Sequence, residues 1–379
     1  MRHWERFENG SRLKPPLDAF LDSRIIPQSP NLEHCLEFVR PLLRGCVESH
    51  LFPCRQSSRS LQIPRRYVDI ENGVRLITTQ TAAGAHDWRY IALSHCWGES
   101  RLLETKTTNL AQHYINIPWV NLGKTFQDAI CLSRGLNVRY IWIDSLCIVQ
   151  DDPANWKSEA LKMASVYSDS YLTIAATGSK NGDGGCFFER SPGLSLSRLS
   201  YVHQDEHPVH AQYSSFDLLD SHSDLTWSRY ALKQPLLRRA WCFQERLLSP
   251  RVLHFHDQEM VWECRTTTAC ECGFLSHTAW FRSARREQYR SNSRREILGL
   301  NAWMKMIVRY SALQLTYESD RLPALSGLAK QFAESLHGKV RYLAGLWEND
   351  LWRGLGWASH ANTRRSKSLT LPSWSWISM

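Results

Sequence analysis

No stretch of this chain holds about eighteen consecutive apolar residues, so no membrane-spanning helix is expected. The opening MRHWERFENG has no apolar run of the secretory type, and a cytoplasmic location is expected. There is no GxxxxGKS or GxxxxGKT loop and no repeat array, which argues against a P-loop nucleotide module and against a solenoid. Paired CxxC elements are missing, and the 11 cysteines are an odd number. Reduced thiols therefore fit better than a disulfide framework. Net charge is +9, but the basic pairs (Arg65-Arg66, Arg238-Arg239, Arg285-Arg286, Arg294-Arg295, Arg364-Arg365) are scattered along the chain. No RRM, zinc-finger or homeodomain pattern accompanies them, so nucleic acid is not an expected partner.

What is present is a large, mixed core. With 379 residues, 43% of them hydrophobic and 16 of them tryptophan, the chain can build one large domain or two ordinary ones. Residues 31–47 are helical in pattern, with an interruption expected at Pro41. Glu71-Asn72-Gly73 lies between YVDI and VRLITT and predicts a hairpin. WRYIALS and RYIWID are apolar on both faces, as buried strands are. GKTFQDAICLSRGL predicts a helix that stops at Gly135. Asp152-Pro153 starts another helix, with Trp156, Ala160, Met163 and Tyr167 as its buried stripe. SYLTIAA follows as a strand, then the glycine-rich 181–185. A helix around Arg239–Leu247, two strands to Cys264, and helices at 298–313 and 322–335 complete the pattern.

Strand alternating with helix predicts an α/β fold, with a mainly parallel, Rossmann-like sheet flanked by helices. A helical, Trp-rich C-terminal section follows it. In such sheets the carboxyl ends of the strands line the ligand crevice. Ser94-His95-Cys96, Asp144-Ser145 and Thr177-Gly178 all fall at strand ends and would share one edge.

IALSHCWG, RYIWIDSLCIVQDD with its downstream Trp, Glu and Lys-Met, and RAWCFQERLLSPRVLHF resemble, in order, three signature blocks of the fungal HET (heterokaryon incompatibility) domain family. Cys46, His50 and Cys54, then DRLPALSGLA, YLAGLW and PSWSW, resemble the flanking parts of that family. The resemblance implies a helical lead-in at 1–66, a HET domain at 67–265 (blocks 90–98, 139–176 and 239–255) and a C-terminal extension at 266–379. It implies a stand-alone protein of non-self recognition that triggers regulated cell death. Expected partners are a second copy or HET/NLR-type proteins. At His95 the family often carries tyrosine.

HET domains are similar to TIR domains, some of which hydrolyse NAD with one helix-borne glutamate. Trp156 and Glu159 resemble that tryptophan–glutamate pair, with spacing differing by about one residue. The resemblance thus implies a TIR-like NAD hydrolase with catalytic Glu159 and NAD as substrate, no permanently bound cofactor, and a pocket of Ser94, His95, Trp97, Asp144, Ser145 and Trp156. The alternative is a non-enzymatic module that oligomerises and recruits a death effector. Glutamate on a helix is most often a surface residue.

The remaining residues keep two readings each. Asp144 either touches ligand or caps the next turn. Trp97 either stacks on a ring or fills core. Cys96 and Cys147 fit buried thiols better than nucleophiles, because His95 and Cys96 point to opposite faces of a strand. A buried Glu245–Arg246 pair is expected to hold its helix to the sheet; a substrate-facing Glu245 is the other reading. Cys264, Cys270 and Cys272 with His254 and His256 have poor metal spacing. Cys46, His50 and Cys54 share a helix face, but Pro53 breaks the helix and no fourth ligand is evident. No metal centre is expected.

Overall fold

A computed structural model of the chain describes residues 26–50, 54, 63–79, 88–98, 102–190, 197–202, 208–211, 234–271, 273, 297–335, 340–359 and 372–378. The strands are β1 (Arg66–Asp69), β2 (Arg75–Thr78), β3 (Tyr90–Ser94), β4 (Tyr140–Trp142), β5 (Leu172–Ala175), β6 (Ser197–Val202), β7 (Pro208–Ala211), β8 (Arg251–Phe255), β9 (Met260–Cys264), β10 (Thr268–Cys270), β11 (Tyr342–Leu343) and β12 (Leu346–Trp347). Eight of them form one sheet in the order β10-β9-β8-β5-β3-β4-β1-β2.

The sheet is mixed, which corrects the expectation of a mainly parallel, Rossmann-like one. Its four central strands, β8, β5, β3 and β4, run parallel. Antiparallel strands flank them on both sides. On the β8 side the cause is connection length. β8, β9 and β10 are joined by turns too short for the crossover that a parallel pair needs. The β1–β2 hairpin turns where the Asn-Gly signal predicts it, with Gly73 at φ 122°.

The helices are α1 (Leu32–Ser49), α2 (Leu110–Ile115), α3 (Lys124–Gly135), α4 (Asp144–Cys147), α5 (Pro153–Ala160), α6 (Met163–Ser168), α7 (Ala240–Leu248), α8 (Ile297–Ser311), α9 (Pro323–Ser335) and α10 (Leu351–Gly354). β3, β4 and β5 are buried at every position, as doubly covered strands must be.

Several local expectations change. α1 runs unbroken through Pro41. Proline removes one amide donor, and the buried face of Cys35, Leu36, Val39, Leu43 and Cys46 outweighs that loss. α3 is closed by Asn137 at φ 55°, not by Gly135. Gly135 instead allows α1 to approach, since a Cβ there would lie 2.7 Å from Leu36 Cδ1.

The single helix expected after Asp152 is two, with a break at Leu161-Lys162. Asp152 caps it as expected, accepting from the Ala154 and Asn155 amides at 3.0 Å. Trp156 is not in the buried stripe; it is 39% exposed. The inward face of α5 carries Asn155 and Glu159 instead, because each bonds the backbone of a neighbouring segment.

The C-terminal section docks on this core. The Gly327 amide on α9 donates to Gln244 Oε1 on α7 at 2.8 Å. A Cβ at Gly327 would collide with Ala164 of α6. Trp303, Phe332 and Trp347 pack ring on ring, with centroids 5.1–5.2 Å apart. The β11–β12 hairpin turns at Ala344 and Gly345, φ 43° and 96°. Trp376 Nε1 donates to Gly345 O at 3.1 Å, so the PSWSW segment fastens that turn.

Candidate functional site at the strand tips

The parallel register pairs Ser94 with Ala175, and Ala175 with His254. It therefore brings Ser94, Asp144, Thr177 and His254 to one edge of the sheet. β4 passes directly into α4, whose first residue is Asp144. Asp144 Oδ1 accepts from the Ser145 amide at 2.7 Å, and Oδ2 accepts from Trp97 Nε1 at 2.9 Å. The side chain stays 22% exposed. Asp144 thus caps its own turn and still faces outward. Trp97 is partly exposed beside it, as a hydrogen-bond donor rather than as core filler.

His95 is buried edge-on against Phe126, centroids 5.1 Å apart. Its Nε2 is 3.8 Å from Asp144 Oδ1 and makes no hydrogen bond among the described residues. Burial holds its pKa below the usual value; Asp144 opposes the shift and Arg239 adds to it. The ring is therefore neutral at neutral pH. Ser145 Oγ is also buried without a hydrogen-bond partner among the described residues.

Beneath this rim lies Glu245, carried by α7. Its Oε2 accepts from Ser94 Oγ at 2.5 Å. Burial raises its pKa from 4.5 to about 7, with Asp144 adding to the rise, while bonds from Ser94 and Tyr167 and the charge of Arg239 oppose it. Arg239 closes the floor by donating from Nη1 to His95 O at 2.6 Å. The expected Glu245–Arg246 pair is replaced. Arg246 grips Glu263 of β9 with two bonds, at 2.7 and 2.8 Å. Glu263 also lies 3.2 Å from His254 Nε2, whose Nδ1 is 3.0 Å from Thr177 Oγ1.

Glu159 lies on the same edge but in other company. It is only 2% exposed, and both oxygens are engaged. Lys162 Nζ donates to Oε1 at 2.7 Å and the Arg65 amide to Oε2 at 3.2 Å. Arg65 precedes β1, which runs antiparallel beyond the tip of β4. Glu159 thus ties the start of the β1 strand to α5. Trp156, on the same helix, is exposed.

The thiols are poor nucleophiles. Burial pushes Cys96 up to about 11 and Cys147 up to about 12. The grouping of the metal-type residues also differs from the one expected. His254 is held by Thr177 and Glu263, and Cys272 lies outside the described residues. Cys264 instead joins Cys46, His50 and Cys54, with all four donor atoms within 4.8 Å of one another. This supplies the fourth ligand that the sequence does not display. The cluster lies at the opposite sheet edge, because Cys264 pairs with Arg251, the first residue of β8.

Together these features define an α/β protein with a half-buried acidic site at the ends of parallel strands. Residues 90–245 match the family model described as Heterokaryon incompatibility protein (HET), so this region of the chain is similar to that family. The match begins at β3 and closes on Glu245, so it encloses Ser94, His95, Asp144, Arg239 and Glu245. No curated protein and no solved structure gives a significant match to the chain.

Proposed function

We propose that this chain is a heterokaryon-incompatibility effector of regulated cell death in fungi, acting by hydrolysis of NAD or a related nucleotide at the strand tips. The observation that carries this reading is the convergence of Ser94, His95, Asp144 and Glu245 at one sheet edge. Asp144 and Trp97 form the mouth, suited to ribose hydroxyls and a flat ring respectively. Glu245 lies deeper and exchanges its proton close to neutral pH.

In glycosidic cleavage the bond from ribose C1′ to the nicotinamide nitrogen breaks, and its electron pair leaves with nicotinamide. Carboxylates stabilise the positive charge at C1′. Water then adds to C1′ and gives its proton to a carboxylate, a role open to Glu245. Glu159 takes a positioning role in this scheme, because it is buried and paired with Lys162 and the Arg65 amide, whereas Asp144 still faces outward.

The test follows nicotinamide release by purified chain, induced to oligomerise and incubated with NAD. Release is expected from the wild type and from Glu159→Gln, and is expected to be lost in Glu245→Gln and Asp144→Asn. Unchanged release in Glu245→Gln removes the assignment of that residue. The absence of release from the wild type, with killing intact in cells, removes the enzyme reading.

A second reading is a recruiting module without turnover. It is favoured by the exposed apolar side chains of Trp156 and Leu161. Killing lost in Trp156→Ala, with wild-type protein that releases no nicotinamide, would establish it.

A further inference from the structure

We propose that Cys46, His50, Cys54 and Cys264 form a structural zinc site that pins the end of α1 to the β9–β10 turn. His50 Nδ1 lies 3.5 Å from Cys264 Sγ and 4.0 Å from Cys54 Sγ. Tetrahedral zinc, with Zn–S near 2.3 Å and Zn–N near 2.0 Å, places nitrogen and sulfur about 3.5 Å apart and sulfurs about 3.8 Å apart. The four donors, all within 4.8 Å of one another, surround a volume of that size. Cys46, Cys54 and Cys264 are buried free thiols, and His50 sits at the margin. Three sulfurs cannot all pair as disulfides, and an imidazole among them has no part in such a bond.

The surroundings are those of thiolate ligands. The Thr266 and Thr267 amides donate to Cys264 Sγ at 3.4 and 3.1 Å. Arg251 Nε donates to Cys46 Sγ at 3.2 Å, and its Nη2 donates to Cys54 O at 2.8 Å. Such outer partners orient metal ligands and offset their charge. Three thiolates and one zinc ion leave a single negative charge, which Arg251 neutralises. Soft sulfur with one imidazole, at four-coordinate size, selects zinc over calcium or magnesium. The site lies at the sheet edge opposite the acidic cluster, so its role is to hold the fold.

The full chain, purified without chelator, would be measured for bound metal by elemental mass spectrometry, and the cobalt-substituted protein by visible absorption. One zinc per chain is expected, with cobalt showing tetrahedral ligand-field bands and sulfur charge transfer. Cys264→Ser and Cys46→Ser should lose stoichiometric metal, while Cys131→Ser, outside the cluster, should keep it. Should the serine variants fail to fold, His50→Cys decides: it should retain zinc and strengthen the sulfur charge-transfer band. Wild-type protein that takes up neither metal overturns the proposal. So does full zinc with unchanged cobalt bands in folded Cys264→Ser, or an unchanged charge-transfer band in folded His50→Cys.

Discussion

Replacing Glu245 by glutamine should make the protein more stable at neutral pH, by an amount that depends on pH in a defined way. The buried carboxyl is raised from 4.5 to about 7, mainly by loss of water around it. Between those values the folded chain holds a proton that the unfolded chain has released. Stability of the wild type therefore falls as pH rises through that window and is flat on either side. A shift of this size corresponds to about 3 kcal/mol. Glutamine cannot ionise, and its Oε1 can still accept from Ser94 Oγ. Urea unfolding of both proteins from about pH 4 to about pH 8 isolates the effect, because titration of every other group cancels in the difference. The variant should gain about 3 kcal/mol on the wild type across that range. A difference that stays constant with pH would mean that Glu245 ionises as it would in water. The desolvated acidic floor of the site would then not exist.

Three further outcomes are expected. Glu159→Ala should lower stability by about 2 kcal/mol in urea unfolding, because Lys162 and the Arg65 amide lose their common acceptor. Arg246→Met should be more severe, about 3–5 kcal/mol, since it strands the buried Glu263. In that variant stability should recover at acid pH, where Glu263 can take up a proton, and circular dichroism melts at two pH values would show it. Gly327→Ala should lower the melting temperature through a loss of about 1–3 kcal/mol, as α9 is forced from Ala164 and Gln244.

Much of the fold can be read from local sequence signals, and much of the site cannot. The Asn-Gly turn, the Asp152-Pro153 cap and the doubly apolar strands each act within a few residues, so they are visible in the chain. The mixed sheet is not, because β1 pairs with β4 across a long separation that leaves no periodic trace. Trp156 misleads because helical spacing reports which residues share a face, not which face turns inward; Asn155 and Glu159 win that contest by bonding buried backbone. Ser94 and Asp144 stand out as polar ends of apolar strands. Glu245 is harder to choose, since its partner Ser94 lies 151 residues away. Cys264 is hidden from Cys46 in the same way.

Glu263 and Cys264 are consecutive on β9, and consecutive side chains on a strand face opposite sides of the sheet. One answers to Arg246 on α7, the other to Cys46, His50 and Cys54 around the end of α1. A slip of β9 by one residue would exchange them, driving a thiol toward a guanidinium and a carboxylate into the sulfur cluster. The alignment of this strand is thus locked from above and below at once. Deleting a single residue from the 256–259 turn should prevent the eight-stranded sheet from closing, however well the rest of the chain is preserved.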